Sequence, residues 1–153
     1  MLLLVFQAGP RRFGMEAARL IEVVPAIRLY QPPQAPAWVA GVMDYRGATV
    51  PVVDLTALYE GVPSPPLLST RIMLVHYETP AGGPRTLGLL AEKVTETLAL
   101  DSAAFSPAGV ELPGTPSLGE LSFDEAGTLQ MIRPERILSD EVRDRLFIEP
   151  EGR

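Results

Sequence analysis

The chain has 153 residues, a formal net charge of −6, one histidine and no cysteine. This length fits one domain, residues 1–153, that can bury a core without covalent crosslinks. The residue counts exclude disulfides, thiolate metal sites and multi-histidine metal clusters, and the negative charge argues against a nucleic-acid binder with a basic face.

The N-terminal segment, residues 1–12, holds a short apolar run with no basic stretch before it. It is too short for a signal-peptide core or a membrane span, and no later apolar run is long enough. We therefore expect a cytoplasmic protein that does not insert into a membrane and associates with one only through partners. Proline makes up 16 of the 153 residues, about twice the usual share. Prolines at such short intervals exclude most long helices and favour short strands joined by turns.

The first part of the chain reads as short strands and turns. Five strands are predicted there: Leu2–Phe6, Phe13–Met15, Leu20–Val24, Trp38–Met43 and Ala48–Val53. Glu16–Arg19 suits one tight helical turn, and Tyr45–Gly47 turns the last two strands into a hairpin. Pro51 cannot donate to a ladder, so its strand should lie at an edge or carry a bulge. Asp54 and Gly61 bracket LTALYE as the N-cap and terminating glycine of a short helix.

The second part shows the same pattern of short strands and turns after a candidate boundary at residues 61–69. Its predicted strands are Arg71–Tyr77, Leu87–Ala91, Val94–Leu100, Leu118–Phe123 and Thr128–Ile132, with a loop at Pro107–Pro116. Pro134–Leu138 suits a helical turn, and Ser139 caps a helix over DEVRDRLF. We predict an all-β fold with short helices, as two small barrels in tandem over residues 10–65 and 66–138, followed by a C-terminal helix and tail over 139–153.

No catalytic motif stands out in the sequence. A Ser-His-Asp triad would have to use His76, and no G-x-S-x-G, phosphate-binding loop or G-x-G-x-x-G occurs. A small hydrolase built on Asp44, Asp54 or His76 is the alternative from the enzyme class. We expect instead a binding protein with no metal, nucleotide or other cofactor.

Arg46 poses the sharpest question, because it stands between Tyr45 and Gly47 with apolar runs on both sides, in GVMDYRGATVPVVDL. A charge is costly to bury without a partner. Arg46 therefore either sits at an exposed turn, paired with Asp44 and without function, or contacts a partner.

Four stretches resemble, in order, the CheW-like domain of bacterial chemotaxis adaptors. They are LLLVFQAGPRRFGMEAARLIEVV, PQAPAWVAGVMDYRGATVPVVDL, TRIMLVHYE with TLGLLAEKVTETLAL, and GTLQMIRPERIL, which together cover residues 2–138. The second stretch is the specific one, with its proline-flanked loop, Gly-Val, Arg-Gly and Pro-Val-x-Asp-Leu. Three residue pairs depart from the family pattern, with Asp44-Tyr45, Ala91-Glu92 and Ile132-Arg133 in place of Asn-Leu, Val-Asp and Leu-Asp, and they suggest a specialised chemosensory pathway.

The resemblance implies two packed SH3-like five-stranded β-barrels and a non-catalytic adaptor. Such an adaptor couples the cytoplasmic tip of a chemoreceptor to the regulatory domain of a CheA-type histidine kinase. The receptor's helical hairpin would lie in a groove between the barrels. Carried over by position, Leu20, Val42 and Arg46 would face the receptor with Glu22 nearby, and Leu89 would line the other wall. The kinase-binding residues stay open, and the alternative is a free-standing SH3-like barrel protein that binds another helix or peptide.

Overall fold

The computed structural model describes residues 1–65, 67–80, 82–109 and 119–147 of an all-β protein. The strands are β1 (Leu2–Ala8), β2 (Arg11–Glu16), β3 (Leu20–Pro25), β4 (Val39–Tyr45), β5 (Ala48–Asp54), β6 (Thr70–Thr79), β7 (Gly83–Ala99), β8 (Ser106–Pro107), β9 (Glu120–Asp124) and β10 (Gly127–Met131). The helices are α1 (Leu55–Glu60), α2 (Pro134–Ile137) and α3 (Asp140–Leu146), with 3₁₀ turns at Ala17–Arg19 and Ser102–Ala104. Most of the predicted loop at 107–116, the predicted strand start at Leu118 and the tail from 148 lie outside the described residues.

All ten strands belong to one hydrogen-bonded network that falls into two groups. The main path runs β3-β6-β7-β1-β2-β10-β9-β8, with β5 joined to β7 and β4 to β5. The first strand group comprises β3, β4, β5, β6 and the start of β7, and the second comprises β1, β2, β8, β9, β10 and the end of β7. Because β6 pairs with β3 across the predicted boundary at 61–69, the two groups interleave along the sequence and do not follow one another.

Each group has its own interior, and a third, larger core lies between them. The first group encloses Met43, Val50, Val52, Ile72 and Leu74, and the second encloses Leu3, Val5, Phe105, Leu129 and Met131. The central cluster includes Leu4, Phe6, Phe13, Met15, Val53, Leu55, Met73, Val75, Tyr77, Leu87, Leu89 and Ile132. Successive residues of β1 and β6 therefore alternate between two buried faces, which is why both strands read as nearly unbroken apolar runs.

The strand β7 corrects one prediction. Leu87–Ala91 and Val94–Leu100 were expected as separate strands, but one 17-residue strand spans both. It pairs with β6 up to Glu92 and with β1 from Glu92 onward. Lys93 lies at the crossing with a φ of 52°, and its N–H donates to the Ser69 carbonyl at 3.1 Å. The polar pair at 92–93 thus marks a bulge within a strand and not its end.

The short helix α1 forms as predicted, and its N-cap has a second role. Asp54 is buried and accepts a hydrogen bond from Ala57 N at 3.2 Å. The same carboxylate accepts from Ser64 N at 2.8 Å and Ser64 Oγ at 2.6 Å. Asp54 therefore fastens the segment that follows Gly61 to the core. Pro51 also fits, because β5 pairs with β7 only from Val52 onward.

We predict that Asp54→Ala lowers the free energy of unfolding by about 2–4 kcal/mol, from the lost cap and two further lost bonds to a buried carboxylate. Asp101→Ala is the matched control, because exposed Asp101 caps only the 3₁₀ turn through Ala103 N. Urea denaturation of both variants measures the difference, and equal losses would contradict the second role of Asp54.

The buried Tyr59 side chain should make the folded protein less stable at high pH. Burial raises its pKa to about 12, against a smaller opposing effect of Arg11, and its ring lies 5.0 Å from that of Phe13. Because the folded-state pKa exceeds the unfolded value, this contribution is fully present below about pH 10 and is lost between pH 10 and 12. The loss should be about 2–3 kcal/mol. Denaturation of the wild type and Tyr59→Phe at pH 9 and 11 tests it: the wild type should lose more stability than the variant.

Candidate functional site

The β4–β5 hairpin ends in a tight turn that carries Arg46. Arg46 and Gly47 both have positive φ, 52° and 87°, as the two central residues of a type I′ hairpin turn do. The Asp44 carboxylate accepts a hydrogen bond from Gly47 N at 3.0 Å. Asp44 therefore stabilises the turn backbone, and the turn lifts the Arg46 side chain into solvent, where 77% of it is exposed.

The partner of Arg46 within the chain is Glu22, and the expected alternative, Asp44, is occupied by the turn. Arg46 Nη2 lies 3.6 Å from Glu22 Oε2, and its guanidinium carbon lies 5.2 Å from the centre of the Tyr45 ring. The Tyr45 hydroxyl donates to Glu22 Oε2 at 2.5 Å. This hydrogen bond, followed by burial, raises the pKa of Tyr45. We call Glu22, Tyr45 and Arg46 the polar clasp.

The polar clasp joins the two end strands of the first group. Glu22 lies on β3 and the other two residues lie at the end of β4. No backbone pairing between β3 and β4 is found in the described ranges, so the group is open there. The side chains of the polar clasp therefore connect β3 and β4 where no backbone hydrogen bonds do. Glu22 has a structural role there as the acceptor of this contact.

Leu20 and Val42 lie on the other face of the same strands. Leu20 pairs with Val75 and Val75 with Leu87, while Val42 pairs with Pro51. Val52 pairs with Gly88 in parallel, which places Pro51 beside Leu87. Paired residues share a sheet face, so one row crosses all five strands with Leu20 and Val42 at its ends. Both are half-buried, and the row faces the central cluster.

Val42 opens onto an apolar groove on this face. The groove is lined by Pro32, Pro33, Gln34, Ala35, Pro36, Val39, Val42, Ala48, Thr49, Val50, Pro51, Pro84, Arg85, Thr86, Leu146 and Phe147. Tyr30 holds Val42 in place, because its carbonyl accepts from Val42 N at 2.7 Å and its N–H donates to Val42 O at 3.1 Å. Of the five residues predicted for the site, Val42 alone lines the groove.

Leu89 corrects the predicted site. It is fully buried in the central cluster, because it lies in the middle of β7 and points away from the first group's interior. A residue with no exposed surface cannot line a groove wall. Leu20 packs against the same cluster from its margin, so its half-exposed side chain belongs partly to the core.

The residues considered for hydrolysis are scattered. His76 is exposed on β6, Asp44 stabilises a turn and Asp54 caps α1. In the described part of the chain, no cluster of three or more histidine, aspartate or glutamate side chains is placed to hold a metal ion. Nor does any described helix have the length and apolar character to span a membrane.

Sequence reasoning missed two groove residues. Arg85 lies outside the predicted strands, but β7 includes it, and its buried Nε has no hydrogen-bond partner among the described residues. Phe147 was placed only in the C-terminal helix, but its ring stacks on Tyr77 at 5.0 Å and reaches the groove. Once β7 is known to include Arg85, the alternation of the strand indicates the face on which Arg85 lies. No local sequence pattern indicates where Phe147 packs.

Comparisons with known proteins agree with this architecture. The family described as the CheW-like domain matches residues 2–142. The chemotaxis protein CheW of Rhizobium meliloti (strain 1021) is 29% identical over 108 residues, which are 69% of this chain and 64% of that protein, so the chain spans less than two thirds of that relative. The crystal structure of the scaffolding protein TtCheW from Thermoanaerobacter tengcongensis superposes with a TM-score of 0.74 at 20% identity, covering 90% of this chain and 87% of that one. The structural likeness supports the predicted SH3-like fold.

The polar clasp predicts unequal effects of its charged members. Glu22→Ala should lower the free energy of unfolding more than Arg46→Ala does, because it removes both the acceptor of the Tyr45 hydroxyl and the partner of Arg46. Arg46→Ala should cost less than about 1 kcal/mol, because an exposed pair contributes little. Glu78→Ala, on exposed β6 surface, is the control. Urea denaturation that finds Arg46→Ala as costly as Glu22→Ala would refute this order.

Proposed function

The chain belongs to the CheW-like domain family, and on that premise we propose that it is a non-catalytic adaptor of a chemosensory pathway. It couples the cytoplasmic tip of a chemoreceptor to the regulatory domain of a CheA-type histidine kinase. It works in the cytoplasm and reaches the membrane through the receptor. The observation that carries the proposal is the apolar groove, with Val42 half-exposed in it and the largely exposed Arg46 at the nearby hairpin tip.

The groove suits an amphipathic helix. Its lining is mainly proline, valine and alanine side chains, which offer apolar area and few hydrogen-bond requirements. Helices dock in such grooves through an apolar stripe at positions i, i+3, i+4 and i+7. A receptor tip, which is a helical hairpin, presents stripes of this kind.

The charges near the groove favour a helix with acidic residues beside its apolar stripe. Arg46 is exposed and weakly paired, and Arg85 lines the groove with an Nε that has no described partner. Either guanidinium can donate charge-assisted hydrogen bonds to a carboxylate or carbonyl. Glu22 has a dual part in this proposal, since it holds Tyr45 and sets the position of Arg46 before a partner arrives.

Kinase docking uses another surface in this proposal. The strands that line the groove and carry the polar clasp belong to the first strand group, and the second group stays free when the groove is occupied. Specific contacts to the kinase are not assigned to residues.

The departures from the family pattern at Asp44 and Tyr45 alter the surface that faces the receptor: Tyr45 adds an aromatic ring under Arg46, and Asp44 adds an acid at the turn.

The test is a titration of a receptor-tip hairpin fragment and, separately, of the kinase regulatory domain. Val42→Asp and Arg46→Ala should each weaken receptor binding about tenfold or more, while kinase affinity stays within about twofold. Arg46→Ala is preferred to Arg46→Glu, because a glutamate there would face Glu22. Leu20→Asp should weaken receptor binding too, but its contact with the central cluster lowers the melting temperature as well.

Two results would count against the proposal. If the receptor fragment binds none of the proteins while an unrelated amphipathic helix binds the wild type, the chain is a barrel module for another partner. If all variants bind the receptor as the wild type does, the groove and clasp are not the receptor site.

A further inference from the structure

The C-terminal helix α3 lies on the same sheet face as the groove. Phe147 directly follows α3, and its ring stacks on Tyr77, with centroids 5.0 Å apart and planes 23° from parallel. Tyr77 lies two residues along β6 from Val75, which stands next to Leu20 in the row that ends in Leu20 and Val42. Leu146 and Phe147 line the groove together with Val42.

The apolar side of α3 has the spacing of a docking helix. Val142 and Leu146 are four residues apart, and both pack with Phe147 against the central cluster. Asp140 is exposed to solvent and pairs at 3.0 Å with Arg143, whose own side chain is only 16% exposed. An apolar stripe packed on the sheet is also what an amphipathic partner helix would bring to this face.

We propose that α3 is an internal stand-in for the partner helix: it occupies part of the docking face in the free protein and is displaced when the partner binds. This inference rests on the proposed function, since it takes the groove as the receptor site. It adds a regulatory step. In the free protein α3 covers part of the groove, and only a minor fraction of the molecules has the groove open for the receptor.

The size and attachment of α3 suit displacement. It spans seven residues, far below the length at which an isolated helix is stable in water, so packing holds it in place. A receptor helix of several turns covers the same face with more apolar area. When only a fraction of the protein is competent to bind, the apparent affinity falls by that fraction. Weakening the seat of α3 should therefore tighten receptor binding.

The experiment compares full-length wild type, Phe147→Ala and Leu58→Ala. Leu58 packs on the central cluster from α1 and does not line the groove, so its variant controls for general loss of packing. Phe147→Ala should bind the receptor-tip hairpin about fivefold to tenfold more tightly than the wild type, the gain expected when a competent fraction of about 10–20% becomes dominant. Leu58→Ala should bind like the wild type. Melting curves of all three proteins establish that they are folded.

Hydrogen exchange on the wild type gives an independent readout if Phe147→Ala does not fold. The amides of Arg143 and Phe147 donate within α3 to Ser139 and Arg143 carbonyls, each at 2.9 Å. Receptor binding should speed exchange at both amides, because displaced residues lose these bonds. Slower or unchanged exchange would show that α3 stays in place.

The outcomes separate the two proposals. If wild type and Phe147→Ala bind equally, or Phe147→Ala binds more weakly, the receptor site stands but α3 is a fixed wall and the inference is overturned. Equal tightening by Leu58→Ala also overturns it. If neither wild type nor Phe147→Ala binds the receptor fragment, the proposed function fails, and this inference fails with it.

Discussion

The sharing of β7 between two strand groups is the constraint on which the rest of the structure depends. Its first half pairs with β6 and β5, and its second half pairs with β1. Since both groups hydrogen-bond to one continuous strand, they cannot move as independent bodies without breaking a ladder. The central cluster fills the angle between them, so the strands that line the groove are held in one arrangement. Strands that are already held in place lower the ordering cost of binding a helix.

Local elements of the fold could be predicted because local chemistry determines them. Asp54 and Gly61 set the two ends of α1, and Ser139 caps α3 through Val142 N, as their positions indicated. Pairing between distant strands could not be predicted in the same way. The interleaving of β6 with β3, and the passage of β7 through Lys93, depend on which apolar faces meet in three dimensions. Many such pairings satisfy the same alternation pattern in the sequence.

The candidate site shows the same division between local and long-range information. The exposed turn at Arg46 follows from Arg-Gly between two strands, and it was predicted. Its contact with Glu22 joins residues far apart in sequence, so the only partner within the chain that the sequence suggested was the nearer acid, Asp44, as the alternative to a contact with a partner protein. Leu89 illustrates a different limit of prediction from sequence. Matching the chain to a family pattern identifies the strand that carries a site residue, but burial decides which residues of that strand reach the surface. Val42 and Leu20 share a face because pairing across five strands aligns them.

The backbone at Arg46 carries an evolutionary consequence. A left-handed conformation favours glycine and asparagine and strains a long L side chain. The same turn built with glycine or asparagine at position 46 would fold more easily, and the polar clasp would keep its Tyr45–Glu22 hydrogen bond. An arginine at this position therefore costs some stability and places a largely exposed cation at the hairpin tip. Laboratory selection for thermostability alone should therefore replace Arg46 early, because the left-handed backbone there favours glycine or asparagine.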